Sequence, residues 1–580
     1  MVSPNLTKRA GEINPVELND DAKKLFQVIH SEKLKSDVRD EDVPYLRVST
    51  LISRLAFVYE KVRNAIDYDE DHLLRKNAIL RILRRQVVIE SVIREADSSG
   101  IASHLLTELI RGGYLPNNAL PESLVGEVAV RLEKYIYLKN QIASAINADL
   151  GLKTEADKAK ALVTKKNDLV HWLLTLAACE IEEHLAPNPV KQRIVDNLFS
   201  ILSKLIKLPP ELPYSEDREI QIYLSISRTF LKFDSDMLSF ILFKYYNDAW
   251  LDLNVSGDPT TSNKIAAGLE QIKEIASNFN DLKNQVDDQL NHELTKQLDK
   301  IVRAYSLYFS ILAEALENDP AKIYRELQTG DKSFIALIRK VCNQKYNKAK
   351  RRLWRAAVRS IIYIFLTKSV FVFIVEVPAI HWLGEPLNYL SLAINASFPA
   401  VLLFLIVILT RKPKENNTDK IVEGIKEITF KGSERTKSIM LRRPKRRNWL
   451  KSLIFNLIYV AAFYVSVYYI VKVLTAIDFT WVSIIIFLFF LAFVSFFSIL
   501  TTRGVKDLIV VEKKENIVTF FLDLFYMPII MAGRWLSTNF SKINVFIFFF
   551  DFIVEAPFKV LVEVAEDWTK YVKERRENLE

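Results

Sequence analysis

Two charged residues interrupt an apolar run that is long enough to cross a membrane. Lys368 and Glu376 both lie in the run 361–380. Charged groups near the centre of a bilayer are costly, and they often mark an ion or proton path or a polar ligand site. In the alternative interpretation Glu376 lies towards the outer interface, Lys368 snorkels inwards or pairs locally, and both only fix the depth of the helix. The sequence favours this second interpretation and leaves the first open, and in both cases the span needs a partner helix.

A basic cluster is the strongest binding signal in the sequence. The segment 441–447, LRRPKRR, directly precedes the third apolar run. Such clusters attract the anionic headgroups of a cytoplasmic leaflet, but they also serve as plain topology signals. The predicted partner is membrane lipid with anionic headgroups, and the candidate lipid-binding residues are Arg442, Arg443, Lys445, Arg446 and Arg447.

Charged residues also recur every four positions near the carboxyl terminus. In the apolar segment 543–564 they are Asp551, Glu555, Lys559 and Glu563. This spacing places them in one stripe of a helix, opposite the phenylalanines, which is typical of a helix that lies in the membrane interface. The segment 517–536 is interrupted in a similar way, and we predict that both segments lie flat. If both crossed, the protein would have six spans instead of four, and the charge asymmetry of the loops does not decide between these models.

Catalytic and metal-binding motifs are not recognisable in the sequence. There is no glycine-rich phosphate loop, and the pair His292 and Glu293 lacks the second histidine of a zinc protease, because Lys296 stands in its place. His171 and His184 are 13 positions apart, which corresponds to about 20 Å along one helix. We therefore predict no catalytic residue, no cofactor and no metal site; an integral membrane enzyme is the third choice of function class.

Four apolar runs define the membrane part of the chain. They cover 361–380, 390–410, 452–474 and 481–501, and each has about the 20 residues that a helix needs to cross the hydrocarbon core. The segment 339–359 has nine Lys or Arg and no acidic residue, whereas the turns 381–389 and 475–480 have no Lys or Arg. By the positive-inside rule, both termini and the basic loop 411–451 are predicted to be cytoplasmic in a multi-pass plasma or inner membrane protein.

The charge balance also indicates what the protein binds. The net charge of the chain is +9, and the segments 339–359 and 411–451 each carry that much alone, so the remainder is net acidic. Basicity confined to the membrane flanks favours anionic lipid and argues against nucleic acid as a partner. The two cysteines, Cys179 and Cys342, have no metal or redox spacing and fit a reducing cytoplasm.

The remaining sequence predicts an all-α fold. Apolar residues recur at helical spacing from 21 to about 250, with breaks at Gly and Pro clusters, so a cytoplasmic multi-helix bundle is expected before the four-span, two-hairpin block and the carboxyl-terminal amphipathic interfacial helices. A seam of apolar residues from Ile265 to Leu298 fits either a long bundle helix or a dimeric coiled coil. The predicted divisions are a disordered leader 1–20, the bundle 21–251, a linker 252–262, long helices 263–358, hairpin one 359–410, the basic loop 411–451, hairpin two 452–502 and the interfacial tail 503–580.

A large helical domain without a catalytic motif is suited to binding. The expected function is therefore a membrane-anchored scaffold or interaction protein, with a protein partner or self-association through the helical domain. The competing expectation is a transporter or channel that uses Lys368 and Glu376. Since four spans are few for a monomeric transporter, that alternative requires an oligomer.

Overall fold

The fold was analysed in a computed structural model of the 580-residue chain. It describes residues 18–35, 44–48, 56–57, 60–61, 70–89, 97–151, 156–253, 262–318, 331–430, 438–443, 449–511 and 516–542, together with single helical positions at 564, 568, 571–572 and 575. These residues form two compact units. We call Gln27–Ser306 with Lys437–Arg442 the helical unit, and Met1–Phe26, Leu307–Thr436 and Arg443–Val545 the membrane unit.

The described residues are mostly helical, as the sequence predicts. The first helices in chain order are α1 (Asp20–Lys35), α2 (Asp71–Arg84), α3 (Ser98–Arg111), α4 (Ser123–Gly151), α5 (Ala156–Leu185), α6 (Pro189–Leu205), α7 (Asp217–Ile226), α8 (Ser235–Tyr246), α9 (Ser262–Leu290) and α10 (Thr295–Asn318). The later ones are α11 (Asp331–Phe371), α12 (Val377–Trp382), α13 (Tyr389–Leu409), α14 (Glu415–Thr429), α15 (Trp449–Thr475), α16 (Trp481–Lys506) and α17 (Ile517–Lys542). Short π-turns extend three of them, at Arg85–Ile89, Ser227–Leu231 and Val372–Glu376, and a 3-10 turn covers Asp248–Asp252.

Helix α5 forms the centre of the helical unit. Every side chain from Trp172 to Glu182 is buried, so this part of the helix has no solvent-facing side, and α2, α4 and α8 pack around it. The ring of Trp172 contacts Phe279 at 4.7 Å between centroids and Phe243 at 6.4 Å. A helix segment that is buried all round lies at the core of a bundle, and here it carries the carboxylates Glu180 and Glu182 into that core.

The packing of helix α9 distinguishes between a bundle helix and a dimeric coiled coil as the explanation of the apolar seam. Its residues Ile272, Phe279 and Val286, which are spaced by seven, are buried in the core of the helical unit. Helices α4 and α8 of the same unit pack against this face. The seam is therefore covered within the chain, as a bundle helix would be, and a dimeric coiled coil is not needed to explain it.

Two very short strands depart from the all-helical prediction. Ile206–Lys207 (β1) pairs in parallel with Ile439–Met440 (β2). The pairing continues beyond β2, since the backbone N–H of Leu441 donates to the carbonyl of Lys207 at 3.0 Å. The helical unit thus includes part of the segment that was expected to be a basic loop.

Among the described residues, the membrane unit contains four helices that are long and apolar enough to cross a membrane. They are Lys332–Trp382, Tyr389–Leu409, Trp449–Thr475 and Trp481–Lys506, and they correspond to the four predicted runs. The first continues without a break from the basic segment into the apolar one. Helices α13 and α16 begin at capping side chains, because Asn388 accepts hydrogen bonds from the N–H groups of Leu390 and Ser391 and Thr480 accepts one from Ser483.

The spans do not pack as two separate hairpins. Helices α11, α13 and α16 pack on one another, whereas α15 has few contacts with α16 and packs on α17 instead. Helix α17 lies along α16, where the backbone of Gly533 touches that of Ala492, and Ser466 of α15 donates to the carbonyl of Phe525 at 3.0 Å. The segment predicted to lie flat in the interface therefore packs side by side with two spans, at positions well inside them.

The connecting segment of the membrane unit is more ordered than the predicted loop 411–451. Helix α14 buries Ile421, Ile425 and Ile428. Residues at the end of the predicted disordered leader pack on it: Leu18 forms an antiparallel bridge with Phe430, and neighbouring Asn19 hydrogen-bonds the end of α14. The prediction of a loose leader is thus wrong for its last residues, and the rest of it lies outside the described residues.

Candidate functional site

A π-turn aligns the two charged residues of the first span. In a regular α-helix, residues eight positions apart are rotated by about 80° around the axis. The amide of Val377 donates to the carbonyl of Val372, five residues back, so the turn Val372–Glu376 accommodates one additional residue. With this additional residue, the eight positions from Lys368 to Glu376 complete about the same rotation as seven positions of a regular α-helix. Seven positions correspond to almost two full turns, so the two residues face nearly the same direction. Lys368 and Glu376 consequently point to the same side of the helix.

Three helices contribute to the polar cluster around Glu376. Its Oε2 atom lies 3.9 Å from Nζ of Lys368. Its Oε1 atom accepts hydrogen bonds from Nδ2 of Asn395, on α13, and from Oγ of Ser483, on α16, each at 2.6 Å. Asn395 also donates to the backbone carbonyl of Ser483, at 3.3 Å. The cluster therefore ties α11, α13 and α16 together.

The burial of Lys368 distinguishes between the two alternatives for this residue, snorkelling and local pairing. The side chains of Lys368 and Glu376 are both 0% exposed, so the prediction that Lys368 snorkels is wrong, and local pairing is what the structure has. The ammonium group also lies over the ring of Phe490, 3.9 Å from its centroid, and 5.3 Å from that of Phe371. Cation–π contacts of this kind stabilise a desolvated ammonium group.

Some polar atoms of the cluster have no hydrogen-bond partner among the described residues. They are Nζ of Lys368, Oε2 of Glu376 and Oδ1 of Asn395. A buried polar group without a partner is unfavourable, and in native proteins it usually has a structural or functional reason. In this cluster the unsatisfied atoms belong to residues that hold three helices together, so their cost is offset by the ion pair and the hydrogen bonds between helices.

The other predicted site residues are only partly described. Arg442 and Arg443 are exposed, and the backbone N–H of Arg442 donates to Oε1 of Gln297 at 3.0 Å, so the chain is held at this point while both side chains face solvent. The remaining members of the basic cluster and the whole charged stripe lie outside the described residues: Lys445, Arg446, Arg447, Asp551, Glu555, Lys559 and Glu563.

A buried network in the helical unit was not expected from the sequence. Glu180 accepts hydrogen bonds from Tyr135 at 2.7 Å, from Nε1 of Trp250 at 2.9 Å and from Lys134 at 3.2 Å. Lys134 also donates to the carbonyl of Trp250 at 3.0 Å. Burial lowers the pKa of Lys134, although Glu180 opposes this, and it raises the pKa of Tyr135, where Glu180 acts in the same direction. This network fixes the 3-10 turn that follows α8.

An exposed patch of large side chains adjoins this turn. Tyr245 and Leu251 are 52% and 53% exposed, and Tyr246 is 38% exposed. The rings of the two tyrosines are in edge contact, 5.4 Å apart. Because Trp250, next to Leu251, is fully buried and held by Glu180, the backbone beneath the patch is fixed.

Sequence reasoning missed the partners of the charged residues for a simple reason. Asn395 and Ser483 are small polar residues in apolar runs, and nothing in their own spacing marks them. Buried polar residues do recur on α16, at Ser483, Ser495, Ser498 and Thr502, and this one-sided pattern is a signal that such a helix faces other helices and not lipid.

In the part of the chain that the structure describes, no group of three or more His, Cys, Asp or Glu residues could hold a metal ion.

These features define a class: an all-α protein with four helices that could cross a membrane. No family model, curated protein or solved structure matches the chain. The function is therefore inferred from the geometry alone.

Proposed function

We propose that the protein is a membrane-anchored interaction protein, in which the membrane unit spans a lipid bilayer and the helical unit binds another protein. In this proposal the basic flanks face the cytoplasm of a plasma or inner membrane, with both termini on that side. The observation that carries the proposal is the exposed patch of Tyr245, Tyr246 and Leu251. Tyrosine is enriched at interface hot spots, and a patch on a fixed backbone loses little conformational entropy on binding.

Site-specific crosslinking in native membranes tests this proposal. A photoreactive amino acid at Tyr245 should give a discrete adduct, whose mass distinguishes a second copy of the chain from another protein. The matched control is Val163, an exposed apolar residue of the same unit at 47% exposure. A defined adduct from Tyr245 and none from Val163 supports the proposal. Equal crosslinking at both positions, or none at Tyr245, contradicts it.

The buried polar cluster favours a second candidate function, transport of an ion or proton by an oligomer. Its support is a buried ion pair inside the packed spans, in which atoms of Lys368, Glu376 and Asn395 lack a hydrogen-bond partner among the described residues, since ionisable groups within membranes often lie on such paths. Flux into vesicles that contain the purified protein tests this function. A flux that Glu376→Gln abolishes would favour transport over the interaction role, and a flux no higher than in empty vesicles would exclude it.

A further inference from the structure

A basic groove lies on one side of α11, before its apolar part begins. It has a volume of about 670 Å3 and is lined by Asn347, Lys350, Arg351, Trp354, Arg355 and Lys412. Four of these six side chains are cationic, and none is acidic. We call it the α11 groove.

Two of the cations fix the walls of the groove. Nζ of Lys350 donates to the carbonyl of Thr410 at 2.5 Å and to that of Val407 at 3.3 Å, so it caps the carboxyl-terminal end of α13, where a positive charge is favourable. Lys412 donates to Oδ1 of Asn347 at 2.5 Å. The groove is therefore formed by ordered contacts between α11 and the chain that leaves α13.

The other two cations of the groove have no counterion among the described residues. Arg351 and Arg355 are exposed, and among the described residues neither has a carboxylate within ion-pair distance. They stand four positions apart on one helix, an arrangement in which like charges repel each other. An anion with several oxygens would relieve this repulsion, because guanidinium groups bind phosphate through two parallel hydrogen bonds.

The position of the groove favours a lipid as the source of the phosphate. Trp354 packs edge-on against Phe404, with 6.3 Å between ring centroids, and tryptophan prefers the headgroup level of a membrane. Two turns further along α11 the side chains of Ile362 and Tyr363 are 55% and 68% exposed, as expected for residues that face lipid tails. Seven residues of helix from Arg355 to Ile362 span only about 10 Å, so the two arginines lie close to the part of α11 that faces lipid tails.

A second cavity on the opposite side of α11 is a weaker candidate. It has a volume of about 430 Å3, and its cations are Lys345, Lys348 and Arg352. Glu314 also lines it and forms an ion pair with Lys345 at 2.8 Å. Part of its positive charge is therefore already neutralised within the protein.

We infer that the α11 groove binds the phosphorylated headgroup of an anionic phospholipid. Arg351 and Arg355 bind the phosphate oxygens, and Trp354 lies beside the glycerol region. This inference rests on the proposed insertion in a membrane and names a lipid site that differs from the basic cluster at 441–447. A pocket of cations beside membrane-spanning helices is a common way to bind such headgroups.

The test uses the full chain in phosphatidylcholine nanodiscs that contain 5% of a doubly phosphorylated phosphoinositide, and it measures by mass spectrometry the lipid that stays bound. The double variant R351Q/R355Q should reduce phosphoinositide retention about 10- to 30-fold. The control K332Q/K340Q removes the same charge from two exposed positions of α11 outside the groove and should leave retention nearly unchanged. The variant R351K/R355K, which keeps charge but not the paired hydrogen bonds, should be intermediate and checks that loss of binding is not loss of folding.

Each other outcome has a definite meaning. Equal losses in the groove variant and the control would show non-specific surface attraction, and unchanged retention in R351Q/R355Q would exclude the groove; both overturn the inference. Soluble inositol trisphosphate is the second probe, and binding as strong as that of the lipid would identify a free phosphate ligand and overturn the assignment to lipid. A chain that alkaline buffer extracts from membranes would refute the proposed insertion itself, and this is measured before any lipid is added.

Discussion

Replacing Lys368 by methionine is the most direct test of the buried ion pair. Methionine has a similar length and no charge, so the change removes the ammonium group without opening a large cavity. The carboxylate of Glu376 then stays buried without a countercharge. We expect the Lys368→Met variant to lose about 3–5 kcal/mol of the free energy of unfolding, as is typical when one partner of a buried pair is removed.

The geometry of the pair gives a similar magnitude. At the observed separation of 3.9 Å between Nζ and Oε2, two unit charges attract each other by about 4 kcal/mol with an effective dielectric constant of about 20. The hydrogen bonds from Asn395 and Ser483 to Glu376 remain in the variant.

A double variant separates loss of the charge pair from loss of packing. In Lys368→Met with Glu376→Gln, both charges are absent and the glutamine oxygen can still accept from Asn395 and Ser483. Replacing a buried ion pair by neutral groups is often nearly neutral, so the double variant should lie within about 2 kcal/mol of the wild type. The second substitution should therefore rescue most of the effect of the first, a coupling that a double-mutant cycle measures.

The measurement is unfolding of the full chain in mixed micelles by increasing dodecyl sulfate, followed by tryptophan fluorescence. The matched control is Lys340→Met, at an exposed lysine of the same helix, which should change stability by less than about 0.5 kcal/mol. Two results would show that the ion pair does not stabilise the packing of the spans. One is unfolding of Lys368→Met at the same dodecyl sulfate concentration as the wild type, and the other is a double variant in which the losses of the two single variants add.

Other predictions concern packing, topology and pH. A Cβ atom at Gly533 would lie 1.9 Å from a backbone oxygen of α16, so Gly533→Ala should reduce the free energy of unfolding by about 1–3 kcal/mol in the same assay. The control is Gly504→Ala, where the added Cβ atom has no neighbour within contact distance. This control should be neutral or stabilising by up to about 1 kcal/mol. A cysteine at Glu385 should react with an impermeant reagent in intact cells, and one at Lys414 only after the membrane is opened; the reverse result would invert the topology. Burial, aided by a nearby lysine, lowers the pKa of His72 from 6.5, so the folded state binds fewer protons and loses stability as the pH falls below 6.5. His72→Gln should reduce the drop in melting temperature between pH 7 and 5.5, and an unchanged drop would show that this histidine does not contribute.

Much of the fold could be predicted because hydrophobic periodicity reflects burial directly. The helical spacing predicted from 21 to about 250 includes α5 (Ala156–Leu185), and the run 390–410 corresponds to α13 (Tyr389–Leu409). The limits of these helices are local features, such as the proline after α5 and the capping Asn388 before α13. The length and composition of each segment were sufficient to predict these helices, because their limits do not depend on which other helices they contact.

The arrangement of α17 could not be predicted in this way. Its apolar run is interrupted by Asp523, Pro528 and Arg534, which is a pattern typical of an interfacial helix. In the structure its close approach to α16 depends on Gly533, where a Cβ atom would meet the backbone of Ala492. Close packing between helices is driven by such small residues, and a single glycine does not reveal which helix it faces.

The polar cluster shows a more specific limit of sequence reasoning. With regular helical geometry, the side chains of Lys368 and Glu376 would be rotated by about 80° from each other and would not be aligned. Pro378 was the available warning: it has no N–H group to donate to a carbonyl one turn earlier, so the helix around it must adjust. A π-turn is one such adjustment, and it changes the spacing at which two residues share a face. In an apolar run that contains a proline, charged residues should therefore be compared at both spacings before they are assigned to different sides.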